Sequence, residues 1–185
     1  MAKTARLIIT FDCPRACEYC CNKYSQVMAS AIKIADCHSL KDYKEVCVTG
    51  GEPMLYPEHT LDVVSHLRAV TKAKIYLYTA WWPDEPGLLP AAVDGIQYSL
   101  HTGPNMEADV TTAARFEKAQ QAIGELSYRK SCRLYIDPTF RAPVTVVPML
   151  WNRILISPWK PEDQILAERA RGIPDEQIYI LDGFY

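Results

Sequence analysis

The chain has 185 residues, a hydrophobic fraction of 49% and a formal net charge of -2 at pH 7. That length fits one domain whose core needs no disulfide support, and a near-neutral balance gives nucleic acid no electrostatic footprint on the chain as a whole. No stretch approaches the roughly eighteen apolar residues of a membrane span, and the start, Met1-Ala2-Lys3-Thr4, lacks the apolar run of a secretory signal, so the expected compartment is the cytoplasm. Seven cysteines, an odd number, are expected there as metal ligands and small core residues rather than as a disulfide framework.

Short β-branched runs alternate with longer helical patterns, the signature of βα units around a parallel sheet. In chain order, a strand is expected over Leu7 to Phe11, a weakly patterned helix over Tyr24 to Asp36, and a strand over Glu45 to Val48. Pro57 then opens a helix with Leu61, Val64, Leu67 and Val70 at helical spacing, and strands follow over Ile75 to Thr79 and Gly95 to Leu100. A helix from about Thr111 to Tyr128 carries Phe116, Ala119, Ile123 and Leu126 on one stripe. Strands over Arg133 to Ile136 and Arg153 to Ile156 bring the count to six, and a helix over Pro161 to Arg171 is stopped by Gly172 and Pro174.

The proline-rich stretches Pro83 to Pro90 and Pro138 to Pro148 read as loops, so one domain is expected over residues 1–185, with a core at about 5–156 and a helix and tail over 157–185. The apolar tail, Ile178 to Tyr185, is expected to cover an open edge or the bottom of the sheet, or to pair with another subunit. Between Arg129 and Lys160 six bases face the single acid Asp137, which reads either as a solvated basic rim or as a site for an anionic substrate.

The chemistry-bearing pattern is Cys13, Cys17 and Cys20, spaced CxxxCxxC just after the first strand, followed about thirty residues later by Thr49-Gly50-Gly51-Glu52-Pro53. Thiolates close together on one loop are the ligand set an iron-sulfur cluster requires, and three ligands for four irons leave one coordination position open. A zinc site completed by His38 is the rival reading, but zinc ligands usually arrive as CxxC pairs and a fourth ligand at matching spacing is missing. Cys21 reads as a packing residue, because adjacent residues rarely reach neighbouring corners of one cluster. Cys37, Cys47 and Cys132 read as buried small hydrophobes, and His38, His59 and His66 as surface residues.

The segment Asp12-Cys13-Pro14-Arg15-Ala16-Cys17-Glu18-Tyr19-Cys20 resembles the CxxxCxφC signature of the radical S-adenosylmethionine superfamily, with Tyr19 as the aromatic φ, and Gly50-Gly51-Glu52-Pro53 resembles its GGEP motif. The resemblance implies a partial (β/α)6 TIM-like barrel of parallel strands covering about Ala5 to Ile156. It implies a 4Fe-4S cluster on Cys13, Cys17 and Cys20 whose open iron binds S-adenosylmethionine, with reductive cleavage to a 5'-deoxyadenosyl radical that abstracts hydrogen from a substrate. Glycines at 50 and 51 would let the backbone and Glu52 approach the amino group of methionine. Pro53, Tyr78, Thr79, Ser99 and His101, at or near strand ends, are implied cofactor contacts, and Arg133, Arg141 and Arg153 are candidate substrate contacts.

The expected partners are a small-molecule or protein substrate and an electron donor such as flavodoxin or ferredoxin, with no membrane, and nucleic acid is not indicated. Alternative readings are an activase for a glycyl-radical enzyme, a 7-carboxy-7-deazaguanine synthase-like enzyme, and a non-catalytic iron-sulfur or S-adenosylmethionine-binding protein.

Overall fold

The structure is a computed structural model that describes residues 3–15, 17, 20–126, 130–157, 164 and 176–182, with only the backbone described for Cys21. Eight parallel strands form one sheet: β1 (Thr4–Ile8), β2 (Ile32–Ile34), β3 (Glu45–Thr49), β4 (Lys74–Thr79), β5 (Gly95–Leu100), β6 (Ser131–Ile136), β7 (Arg153–Ile156) and β8 (Glu176–Leu181). Their order across the sheet is β2-β8-β1-β3-β4-β5-β6-β7. The helices are α1 (Ser25–Ala29), α2 (Pro57–Val70), α3 (Leu89–Ala92) and α4 (Met106–Gly124). No described helix is long and apolar enough to cross a membrane.

Alternation along the strands sorts side chains onto two faces. Leu7 and Ile9, Val46 and Val48, Ile75 and Leu77, and Ile96 and Tyr98 join one core with Val63, Val64 and Leu67 of α2 and Phe116, Ala119 and Ile123 of α4. Ile8, Ile178 and Ile180 point to the opposite face and pack on Val27 of α1. One hand of crossover accounts for both placements. The chain steps from β3 through β4, β5 and β6 to β7 in one direction across the sheet, whereas β1 to β2 runs the other way, so a uniform right-handed connection puts α1 on the opposite face.

Local sequence explains where the helices begin. Pro57 occupies the first turn of α2, where its missing N–H costs nothing, with Glu58 near the N-terminal and Arg68 near the C-terminal end of the dipole. Asn105 caps α4 by accepting from the Ala108 N–H at 2.9 Å, with Glu107 and Asp109 in the first turn.

Three expectations change. The sheet has eight strands, not six, and its pairing is that of an α/β parallel sheet with β2 and β7 at its ends. The helix expected over Tyr24 to Asp36 is the single turn and a half of α1, followed by β2, because Ile32, Lys33 and Ile34 pair with Tyr179, Ile180 and Leu181 of β8. Helix α4 begins five residues earlier than expected, at its Asn105 cap, and ends at Gly124. The tail expected to cover an edge does so as a strand: β8 adds to the free side of β1 in parallel register. The helix expected over Pro161 to Arg171 and the last residues of the tail lie outside the described residues.

Candidate functional site

The loop after β1 and the turn after β3 are locked together by main-chain bonds. Gly51 N donates to Thr10 O at 2.6 Å and Glu52 N to Asp12 O at 2.7 Å. Side chains add to the lock: Tyr56 OH donates to Asp12 Oδ2 at 2.6 Å, and Asn22 Nδ2 to Gly50 O at 2.7 Å. The approach is so close that only glycine fits. A Cβ on Gly50 would lie 2.3 Å from Thr10 O, and one on Gly51 2.0 Å from Asp12 O; Gly50 also has φ +148, a conformation L side chains rarely adopt.

Cys13 is exposed and Cys17 and Cys20 are half-buried on this loop, where Cys20 N donates to Cys17 O at 3.3 Å and Lys23 Nζ to Cys17 O at 2.8 Å. Loss of hydration pushes the Cys13 thiol up to about 11 despite a hydrogen bond from the Arg15 backbone, and Glu52, Cys17 and Cys20 push it the same way. The three thiols and the glutamate thus share one electrostatic neighbourhood. Among the described residues no three His, Cys, Asp or Glu side chains gather closely enough to hold a single metal ion. Tyr19 lies outside the described residues.

Glu52 itself is 2% exposed and turned inward. Its Oε1 accepts from Met54 N at 3.0 Å and from Thr79 Oγ1 at 2.6 Å, and its Oε2 accepts from Ala80 N at 2.9 Å. Burial pushes its carboxyl up to about 7, against the opposing pull of Thr79, Ala80, Met54 and Arg15. The carboxylate therefore ties the β3 turn to the end of β4, with Thr79 as its partner, and Pro53 opens a buried 3-10 turn just behind it.

Arg15, within the cysteine motif, reaches across to the other strand ends: Nη1 donates to Thr112 Oγ1 of α4 at 2.7 Å and Nη2 donates to the His101 carbonyl. Burial, with Arg15 adding to it, pushes the His101 imidazole down to about 3 against the pull of Asp137, so it is neutral at pH 7. Beside this bridge lies a cleft of about 500 Å³, lined by Arg15, Cys17, Trp81, Thr102, Thr112 and Thr139 among others. Trp81 is backed by Arg115, whose guanidinium carbon lies 3.4 Å from the ring centroid.

Of the residues nominated from sequence, Cys17 lines the cleft, while Gly50 to Pro53 and Thr79 build the wall that holds the cysteine loop. Ser99 is buried on β5. Tyr78 projects to the opposite face from Thr79, beside Cys47 and with the Arg6 guanidinium 5.6 Å from its ring centroid, and burial followed by Cys47 pushes its hydroxyl well above the ordinary tyrosine range. Arg141 is held by Asp109, with Nε at 2.7 Å from Oδ2, and donates to Gly103 O at 2.7 Å, so it braces the 103 turn on α4. Arg133 and Arg153 stand on β6 and β7. Cys37, Cys47 and Cys132 are buried as expected, whereas His59, expected at the surface, is half-buried. The brace of Arg15, the Asn22 clamp on Gly50 and the Trp81 wall were not read from sequence; Arg15 lies inside the motif, but nothing local names its distant partners.

The fold and this site define an α/β parallel-sheet protein with a thiol-bearing loop seated on a glycine turn at the C-terminal ends of the strands. No family model matches the chain, and neither a curated protein nor a solved structure does.

Proposed function

We propose that the protein is a radical S-adenosylmethionine enzyme in which Cys13, Cys17 and Cys20 hold a 4Fe-4S cluster and the adjacent cleft takes S-adenosylmethionine. The observation that carries this reading is the lock between the two motifs, Gly51 N to Thr10 O and Glu52 N to Asp12 O, which brings a three-thiol loop and a GGEP turn into one site. The donor set fits the group. A cluster with one thiolate per iron needs its sulfurs spread over a volume rather than gathered around one ion, and three thiols on one partly exposed loop suit that need. Strand order supports the corresponding architecture: a sheet stepping in one direction from β1 through β3 to β7, with α2 and α4 on one face, has the connectivity of a partial barrel of βα units.

When bound, the cluster and S-adenosylmethionine supply one-electron cleavage and a hydrogen-abstracting radical, chemistry no side chain provides. The chain's own residues position and insulate. Glu52 does this from within the protein, by holding the turn through Met54, Thr79 and Ala80 rather than by presenting its carboxylate to a ligand. Arg15 spans the mouth and fixes the cysteine loop against β5 and α4. Trp81, stiffened by Arg115, offers a flat wall to a cleft in the size range of small-molecule sites. The neutral His101 imidazole adds no cation near this mouth.

Anaerobic reconstitution with iron and sulfide is expected to load a cluster, and dithionite with S-adenosylmethionine to release 5'-deoxyadenosine. Cys17→Ala removes both. An intact cluster that never cleaves S-adenosylmethionine refutes the reading.

A further inference from the structure

Across the face of the sheet opposite α2 and α4, Tyr78, Gln97, Arg133 and Arg153 are successive register partners on β4, β5, β6 and β7. Register partners on neighbouring parallel strands project to the same face about 4.8 Å apart, so two guanidinium side chains leave the backbone side by side. Like charges placed this way oppose sheet formation.

The chain answers its other described arginines. Arg6 pairs with Glu176 at 3.2 Å, Arg68 with Asp94 at 2.8 Å and Arg141 with Asp109 at 2.7 Å. Arg15 and Arg115 donate to the carbonyls of His101 and Trp82. Arg133 and Arg153 make no ion pair with any described residue. Arg133 is held over the ring of Tyr76, 5.0 Å from its centroid, and that tyrosine is 4% exposed, while Arg153 stands exposed on the edge strand. One arginine is thus fixed on an aromatic shelf and its neighbour is free to close on whatever sits between them.

The geometry points to an oxyanion site here: Arg133 and Arg153 together take a carboxylate or phosphate group, with Gln97 and Tyr78 beside it receiving the uncharged part of the ligand. Planar guanidinium forks match both anions, and a shared anion turns a repulsive pair into a bridged one. Ser99 and Tyr135, register partners two residues further along β5 and β6, lie between this level and the C-terminal ends of those strands, beyond which Thr102 and Thr139 line the cleft. That spacing is about 6.6 Å of strand, so a ligand anchored on the arginines extends toward the site described above. Taking the anion as the charged end of the substrate rests on the proposed radical chemistry; the oxyanion site itself does not.

The test is thermal melting of the full chain in chloride, in inorganic phosphate and in succinate, at one pH and matched ionic strength, for wild type, Arg133→Gln and Arg153→Gln. In chloride, Arg153→Gln is expected to melt above wild type by on the order of 1–3 °C, because repulsion is relieved. In phosphate or succinate, wild type is expected to rise and the order to reverse, with affinity weakened about ten- to a hundredfold by either substitution. The stronger of the two responses identifies phosphate or carboxylate as the group recognised. Failure of both phosphate and succinate to raise the wild-type melting temperature above its value in chloride overturns the proposal, as does an equal response in Arg153→Gln. Should Arg133→Gln fail to fold, Arg153→Gln on its exposed edge strand decides alone. Release of 5'-deoxyadenosine by the wild-type protein is scored separately, so the radical reading can fail while the oxyanion site stands.

Discussion

Replacing Glu52 by Gln changes one atom of a buried group and reports directly on how the GGEP turn is held. Glu52 titrates near 7 where an ordinary glutamate titrates near 4.5, and burial is the main cause. Between those values the folded protein binds a proton the unfolded chain has released, so the contribution of Glu52 to stability is largest below about pH 4.5 and is lost as pH rises through 7. At about 1.4 kcal/mol per tenfold in proton affinity, the loss is about 3 kcal/mol.

The glutamine keeps an acceptor for Met54 N and the Thr79 hydroxyl but turns its amide N–H toward the Ala80 N–H, leaving one backbone donor unmet at about 1–3 kcal/mol. The variant is therefore expected to be less stable than wild type at pH 5, and the gap to close or reverse by pH 8. His101 pulls the opposite way: held down to about 3, it makes stability rise with pH between there and the ordinary histidine range. That contribution is common to both proteins, so the difference between their urea-denaturation free energies at pH 5, 6, 7 and 8, on metal-free samples, isolates Glu52. A gap that stays constant across the series refutes the reasoning, and one that widens with pH means Arg15 and the three donors outweigh burial.

Other substitutions probe the scaffold. Gly51→Ala puts a Cβ 2.0 Å from the Asp12 carbonyl, so it is expected to displace the cysteine loop and lose reconstituted cluster absorbance, whereas Gly87→Ala, where no atom lies within 4 Å but φ is +59, is expected to cost only about 1 kcal/mol and to leave cluster loading intact. Arg141→Met removes the side-chain partner of fully buried Asp109 and is expected to cost about 1–2 kcal/mol in chemical denaturation, since the Gly103 and Arg141 backbone N–H donors remain. Adding Asp109→Asn is expected to recover part of that loss. Phe116→Ala empties the contact between Tyr98, at 5.5 Å, and Trp151, at 5.9 Å between centroids, and is expected to cost about 3–5 kcal/mol by thermal or urea unfolding.

Elements with a local code were legible in the sequence. Five of the strands match their expected positions to within two residues, and α2 was marked by Pro57 and its periodic stripe, because period and turn chemistry are properties of neighbouring residues. The two strands beyond the expected six, β2 and β8, pair with each other across 147 residues of sequence (Ile32 with Tyr179), and neither run of residues announces a partner it meets only in the folded sheet. Helix α1 is shorter than its pattern suggests for the same reason, since Ile32 to Ile34 at the end of that pattern pair with β8.

The candidate site divides along the same line. Cysteine spacing and the Gly50-Gly51-Glu52-Pro53 turn are chain-local, so both were visible in the sequence itself. That Glu52 faces inward onto Thr79 and Ala80, that Arg15 crosses to β5 and α4, that Tyr78 and Thr79 part to opposite faces, and that Arg141 is held while Arg133 and Arg153 stand together are outcomes of register and burial. Sequence by itself determined the three-thiol spacing, the glycine turn and most of the βα rhythm, because all are carried by residue type and spacing. Only the tertiary structure decided which charged groups find an ion-pair partner and which do not, because hydrogen-bond and ion-pair partners are chosen by packing across the sheet.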